Sequence, residues 1–367
     1  MSAKGSKPDI TILAVGDKAD FDAYKKFTRE KTLAKKYGFE YLPLNYRRFL
    51  TSGIPRIKTK KVLVFLFFPF SYWNKHIEHK NYKGTYGSKA FYNKFIGFWK
   101  KVEQKAKKQL EGKEVHFINS PGLCGKYRDK LEVSKKLSRK NISQPKLYNR
   151  PNIVSIQGRL DKGQELFLKP RFGSMGKGIT FLSKDNWQTN FISQNGRFRN
   201  RKGDSGWHFS DITNNQKVLK VLLKKDILVQ EGVVSLILKK NKVDFRIYTF
   251  FNKVLYVYPR RNKPDKITTN ISQGARGDPG LLKKIPKKLI TKAKKTALKA
   301  TKALGLKFAG VDICLDKNLK DVYIIDINLF SGFPKRRTFN LAKSMINELN
   351  SLVGSGGMAF TSLKNSL

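Results

Sequence analysis

Apolar and polar positions along this chain follow two rhythms. In the first third, short blocks that are apolar throughout alternate with longer stretches whose apolar residues recur every three or four positions. "DITILAVGD" at 9–17 is such a block and ends in a glycine turn, as a buried strand does. A helical stretch follows from Phe21 to about Lys36 and stops at Gly38. "FEYLPL" and "KVLVFLFF" predict further strands, the second rich in the aromatic and β-branched residues that suit a buried sheet. Residues 88–110 place Phe91, Phe95, Phe98 and Val102 on one helical face, and "EVHFINSPG" at 114–122 predicts the next strand. Strands alternating with helices imply a parallel α/β layer of roughly 120 residues.

The pattern then changes. "RDKLEVSKKLSRKNISQPKLY" at 128–148 predicts a short helix with an extended exit, and two strands at 165–169 and 178–182 flank a glycine-rich loop. From Lys184 to about Gly206 the chain is rich in Asn, Gln, Arg and Gly, which predicts a long loop or insertion. "VLKVLLKK" predicts a helix and "DILVQEGVV" a strand. Two hairpins follow, one at 243–261 turning at Asn252-Lys253 and one at 308–330, with a lysine-rich helix between them over about 286–304. The last dozen residues, with "GSGGMAFTS", predict a frayed tail, and no internal repeat is visible.

At 367 residues the chain has room for two or three domains with real cores. Hydrophobic residues at 40% and aromatics at 12% exclude a disordered polycation. Lys and Arg number 76 against 27 Asp and Glu, a formal charge of +49. Such a surface attracts polyanions; a compositional enrichment in lysine is the other reading. The only cysteines, Cys124 and Cys314, exclude a disulfide framework and point to a reducing compartment. "VLVFLFFPF" at 62–70 is less than half a membrane span, and the N-terminus lacks an apolar signal region. A soluble, cytoplasmic protein is expected.

"FLKPRFGSMGKGITFL" at 167–182 raises the chemical question. It fails the P-loop pattern, because Gly178 follows Gly176-Lys177 and Arg171 stands where the first glycine belongs. The dinucleotide and protein-kinase glycine patterns fail after Gly178. Glycine backbone can still approach phosphate oxygens closely, and Lys169 adds a positive charge. The second hairpin supplies a partner. Turning about Leu319, it sets Asp312 opposite Asp326, with Asn328 on the same face as Asp326. No basic residue separates the two carboxylates, so they should repel unless a cation lies between them. Three oxygen donors suit Mg²⁺; a solvated pair of edge carboxylates is the alternative. Glycine loop, lysine and metal together suit a nucleoside triphosphate. "WNKHIEHK" offers His76 and His79, whose spacing fits neither zinc-protease signature.

In this order the motifs resemble those of the ATP-grasp superfamily, in particular the ribosomal-protein glutamate ligases, glutathione synthetases and D-alanine ligases, from about residue 119 to 333. The resemblance implies an α/β protein with the ATP-grasp fold: two α+β subdomains clasping ATP, preceded by an N-terminal parallel α/β domain. The implied divisions are 1–120, 121–228, 229–350 and a flexible tail at 351–367. Lys130 and Lys169 match nucleotide lysines. Gly173, Ser174, Gly176 and Gly178 match the lid. Gln230, Glu231, Gly232 and Val233 match the hinge that holds adenine and ribose. Asp244 matches an acidic nucleotide contact, and Asn270 a loop beside the phosphates. Arg246, with Arg260 or Arg261, matches arginines on phosphate or acyl phosphate. Asp312, Asp326 and Asn328 match the metal ligands. The chain departs from the pattern at Asp-Ile-Asn, where Glu-x-Asn is usual, an ending also seen in the inositol-trisphosphate kinase branch of the fold. Thr268 replaces a basic residue common in the glutamate ligases.

The resemblance implies an ATP- and Mg²⁺-dependent carboxylate–amine ligase working through an acyl phosphate, with Mn²⁺ as an alternative ion. The second reading is a kinase that phosphorylates a polyanionic alcohol such as an inositol phosphate. Either takes an anionic or carboxylate-bearing partner: a small molecule, a peptide or an acidic protein tail. Nucleic acid is the weaker candidate, and no membrane span is expected. Lys177, Arg260, Arg261, Lys335, Arg336 and Arg337 are expected to rim the cleft and capture that partner.

Overall fold

The computed structural model describes residues 9–19, 22–78, 85–194, 197–201 and 207–354. Its first layer is a sheet of four parallel strands in the order Glu40–Leu44, Ile10–Val15, Lys61–Leu66, Glu114–Phe117. All six residues of Ile10–Val15 are buried, which is why that strand reads as an unbroken apolar block: both faces are covered. The helix Lys89–Gln109 covers one face with Phe91, Phe95, Phe98 and Val102, as its spacing predicts, and Ser88 caps its first turn. The helices Asp22–Thr28, Lys31–Lys36 and Leu341–Gly354 cover the other. The single helix expected from Phe21 is therefore two, and Phe21 itself lies outside the described residues. The break at Glu30 has a cause: its buried carboxylate accepts from Arg336 at 3.1 Å and Asn340 at 3.0 Å, which ties the break to the last helix.

The second layer is an antiparallel sheet in the order Ser210–Asp211, Trp187–Thr189, Thr180–Leu182, Leu166–Pro170, Ile227–Glu231, Leu147–Tyr148. The loop expected over 184–206 is thus partly sheet. Trp187 and Thr189 are buried and pair with the strand Thr180–Leu182, and Ile192–Gln194 forms a ribbon with Arg197–Arg199. Three-residue strands set among Asn and Gln are too short to show an alternation. The division expected at 228 cuts the strand Ile227–Glu231, which pairs along its length with Leu166–Pro170 and belongs to this central sheet.

The third layer is a long antiparallel sheet: Arg276–Gly277, Lys253–Asn262, Asn241–Phe250, Phe308–Leu315, Val322–Asn328, with Ile237–Leu238 pairing onto Asn241–Phe250. Its first hairpin turns at Phe251-Asn252, one residue before the expected place, both residues having left-handed backbone (φ 45° and 62°). The lysine-rich helix Lys287–Leu304 packs on this sheet through Leu289, Ala293, Ala297, Ala300 and Leu304. Its lysines face outward, the arrangement of an ordinary amphipathic covering helix. The last helix continues through Gly354, so residues 351–354 are its final turn; 355–367, where a frayed tail is expected, lie outside the described residues. Among the described residues no helix is long and apolar enough to cross a membrane.

Candidate active site

A cavity of about 310 Å³ lies between the second and third sheets. Each charged wall residue arrives there by a local rule. In Leu166–Pro170, alternation sends Leu166 and Leu168 into the core and turns Phe167 and Lys169 to the cavity. Lys130 is the first residue of the helix Lys130–Arg139, whose cap is the Asp129 side chain. The Lys169 ammonium sits 3.4 Å from the Ile325 carbonyl oxygen. Burial, and then the neighbouring charge of Lys130, push its pKa down to about 8. A group in that position gains by meeting an anion.

Asp312 stands opposite Asp326 as expected, but by way of a bulge: near the turn Leu315 pairs with Val322 rather than Tyr323, and the register shifts between Asp312 and Ile313. The expectation that no base neutralises them is not met. Arg246 stands across from Asp312 on the adjoining strand and grips it with two hydrogen bonds of 2.8 Å. Arg260 reaches the same carboxylate at 3.2 Å, and Asn328 donates to it at 3.2 Å. Three of these contacts are hydrogen bonds, and the Arg260 contact is one of charge, so two guanidiniums already answer the Asp312 carboxylate. Asp326 is bonded by Lys130 at 2.5 Å. Burial works to raise the Asp312 pKa, but the Arg246 and Arg260 guanidiniums hold it below the usual carboxylate range. Asp244 is also buried and accepts from Arg260 Nε at 2.8 Å; burial raises its pKa in spite of that partner. Arg260 is 1% exposed, and its Nη1 is buried with no hydrogen-bond partner.

This arrangement tests the metal assignment. The second oxygen of Asp326 and the amide oxygen of Asn328 receive no hydrogen bond among the described residues and suit Mg²⁺. Asp312, whose charge is already answered by the Arg246 and Arg260 guanidiniums, does not suit it as it stands. No cluster of three or more His, Cys, Asp or Glu able to hold a metal occurs among the described residues, and His79 lies outside them.

The glycine loop closes over the cavity. Met175, Gly176 and Gly178 have left-handed backbone, with φ of 59°, 70° and 73°. A Cβ on Gly176 would stand 2.7 Å from Asn270 Nδ2, so the loop and the Asn270 segment touch only because that side chain is absent. Asn190 donates to the Gly176 oxygen at 2.6 Å, and the Ser174 N–H donates to the Tyr86 hydroxyl at 3.0 Å. Gly173, Ser174, Gly176 and Asn270 line the cavity as expected; Gly178 instead packs beneath Phe191 and Pro170 and shapes the turn. Lys177 lines the cavity with its ammonium over the rings of Tyr86 and Trp207, at 5.4 and 5.7 Å.

Three expectations need correction. At the hinge, Glu231 and Val233 line the cavity, but Gln230 is buried in the sheet and Gly232 gives its N–H to the Glu165 carbonyl at 2.6 Å, so neither faces a ligand. Arg261 alternates away from Arg260: its Nε lies 3.0 Å from Asp278 and its Nη1 donates to Asn241, outside the site. Arg336 is committed to Glu30 rather than to the cleft. Sequence reasoning missed Lys242, Thr269 and Cys314 on the cavity wall. Cys314 was within reach, because it lies two residues after Asp312 on the same strand. Burial pushes its thiol up to about 11, so it stays protonated at neutral pH.

Two antiparallel sheets closing on a lysine-lined cavity, with a glycine loop as its lid and a parallel α/β layer in front, define a protein of the ATP-grasp class. A family model described as YheC/D like ATP-grasp matches residues 114–352, and the chain belongs to that family. Among curated proteins it is similar to a probable alpha-L-glutamate ligase of Stutzerimonas stutzeri (strain A1501), 26% identical over 208 residues that cover 56% of this chain and 57% of that protein. The chain therefore matches a little over half the length of that relative. In fold it is similar to the ATP-grasp ligase PsnB complexed with a phosphomimetic variant of minimal precursor, Mg and ADP (TM-score 0.55, 14% identity, 93% of this chain and 96% of that one). It is similar too to the macrocyclase MdnC bound with precursor peptide MdnA from Microcystis aeruginosa MRC (TM-score 0.54, 11% identity, 92% and 99%). At these identities the likeness is one of fold.

Proposed function

We propose that the chain is an ATP-dependent ligase that joins a carboxylate to an amine. The observation that supports this best is the cavity itself: four lysines, a close-packed glycine loop and a hinge edge converge beside a carboxylate hairpin. Adenine lies against Glu231 and Val233, and the triphosphate extends toward Lys130, Lys169 and the glycine loop. A carboxylate oxygen of the substrate attacks the γ-phosphorus, and the bond from that phosphorus to the bridging oxygen of ADP breaks. The acyl phosphate then meets an amine nitrogen at its acyl carbon; phosphate leaves with the bonding pair, and the nitrogen gives up a proton. Protein groups position these partners and neutralise charge. Asp312 acts as a positioning residue that fixes Arg246 and Arg260 beside the cavity. Mg²⁺ (or Mn²⁺), held by Asp326 and Asn328, would supply charge neutralisation at the phosphates.

The test is a turnover assay with ATP, MgCl₂, a pool of amino acids and acidic peptides, and hydroxylamine as the amine. ADP, free phosphate and acyl hydroxamate in equal amounts are expected. ADP with the phosphate retained on a product would overturn the ligase reading in favour of a kinase.

A further inference from the structure

A second cavity, of about 120 Å³, lies beyond the hairpin carboxylates and shares Lys130, Gly173, Ser174 and Asp326 with the first. Its outer wall is aromatic: Phe68, Phe70, Phe95 and Tyr127 come from ahead of the second sheet in the chain, and Phe330 from just after the strand Val322–Asn328. The rings brace one another. Phe68 meets Phe70 at 4.6 Å and Phe330 at 5.6 Å between centroids, and Phe330 stacks on Trp99 at 5.0 Å. Arg128 lines the same cavity. Its Nε donates to the Phe172 oxygen at 2.7 Å and its Nη2 to the Tyr86 hydroxyl at 3.2 Å. Its guanidinium lies 5.1 Å from the Phe95 ring centre. Among the described residues it has no carboxylate partner, and its Nη1 has no hydrogen-bond acceptor.

We propose that this cavity is the seat of the carboxylate substrate and selects an acid with an apolar side group, the acid's carboxylate resting on Arg128 and its side group on the Phe68, Phe70 and Phe330 rings. This rests on the ligase reading above and names the substrate class for it. The shared wall places such a carboxylate beside Lys130 and the glycine loop, the end of the first cavity where a γ-phosphate would lie. The volume suits one small group; a cavity of about 150 Å³ lined by apolar side chains takes up benzene. Charge decides against a polyphosphate. Of the two cations on the wall, Lys130 is already bonded to Asp326, which leaves Arg128 for one anionic group. Further phosphates would be desolvated against aromatic rings with nothing to pair them. A glutamate side chain meets the same objection.

The experiment is hydroxamate formation from L-phenylalanine, L-leucine and L-glutamate with ATP, MgCl₂ and hydroxylamine. The expected kcat/KM for phenylalanine or leucine exceeds that for glutamate at least tenfold. Phe70→Asp lowers it at least tenfold for the apolar acids and changes the KM for ATP less than twofold. Arg128→Met raises the KM for every acid, and Arg128→Lys restores part of the loss. Preference for glutamate, or an unchanged ratio in Phe70→Asp, overturns the pocket assignment and leaves the ligase reading standing. If no acid yields hydroxamate, the ligase reading falls, and equilibrium dialysis with 3-phenylpropionate and glutarate judges the pocket alone. Tighter binding of 3-phenylpropionate that is lost in Phe70→Asp supports it; no binding overturns it.

Discussion

Replacing Asp312 by Asn separates two accounts of the hairpin. If the facing carboxylates merely repelled each other, removing one charge would relieve strain and stabilise the protein. The structure demands the opposite. Asp312 is 3% exposed and is the only carboxylate that Arg246 grips among the described residues, while Arg260 keeps Asp244. The change strips one buried guanidinium of its counter-charge, and breaking a buried pair from one side costs about 3–5 kcal/mol. At roughly 2–4 °C per kcal/mol for a domain of this size, the midpoint of thermal unfolding should fall by about 6–20 °C. Asp326 is the control, because its side chain is 30% exposed and that of its partner Lys130 23%. Such a pair is worth about 1 kcal/mol or less, so Asp326→Asn should shift the midpoint by a few degrees at most. The gap between parent and Asp312→Asn has a pH signature. A carboxylate whose folded pKa is depressed contributes stability above its unfolded pKa, about 3.9, and loses it as pH falls through the folded value. The gap should therefore be constant from pH 5 to 7 and narrow below about pH 4. Thermal scans by circular dichroism across that range measure it. A midpoint for Asp312→Asn within 2 °C of the parent, as the repulsion account requires, would refute the reasoning.

Three further outcomes are expected. Lys169 loses its proton near pH 8 when folded and near 10.4 when unfolded, so on its account stability rises between those values while the charge offered to phosphate disappears. ATP affinity by calorimetry should then fall between pH 7 and 9 in the parent and be weak and flat in Lys169→Met. Gly176→Val places a β-branched residue at φ 70° with its Cβ against Asn270, so kcat/KM for ATP should drop at least tenfold while Gly176→Ala drops less; parent-like kinetics would remove this loop from the phosphate site. Arg336→Gln should lower stability by about 1 kcal/mol, since Arg336 is exposed and Asn340 still donates to the buried Glu30 carboxylate, and substrate KM should be unchanged in a salt series.

What could be read from the sequence follows from how far apart the interacting residues lie. Hairpin symmetry placed Asp312 and Asp326 within one residue of facing, and the bulge beside Asp312, which no alternation reveals, completes the pairing. The cations that neutralise them were not. Arg246 reaches Asp312 only because Asn241–Phe250 lies beside Phe308–Leu315, a pairing between separate hairpins that no local pattern reveals. Lys130 comes from a helix 196 residues before Asp326. The same limit explains Arg260 and Arg261: a dibasic pair is visible, but which member turns to Asp244 and Asp312 depends on the register with Asp244. Trp187–Thr189 was hidden by polar neighbours, and its burial comes from the strands on either side. Phe68, Phe70 and Phe95 were read as core and Phe330 was not singled out, because three separate segments have to meet before the open side of this wall exists.

The central claim is that this cavity makes an acyl phosphate, and the fate of a carboxylate oxygen tests it most directly. Amino acids labelled with ¹⁸O in the carboxyl group, led by L-phenylalanine, are turned over with unlabelled ATP, MgCl₂ and hydroxylamine, and the released phosphate is analysed by mass spectrometry. Attack of the carboxylate on the γ-phosphorus carries one labelled oxygen into each phosphate released, so singly labelled phosphate in step with hydroxamate is the expected result. Unlabelled phosphate, or label and phosphate held together in a stable phosphorylated product, would contradict the account.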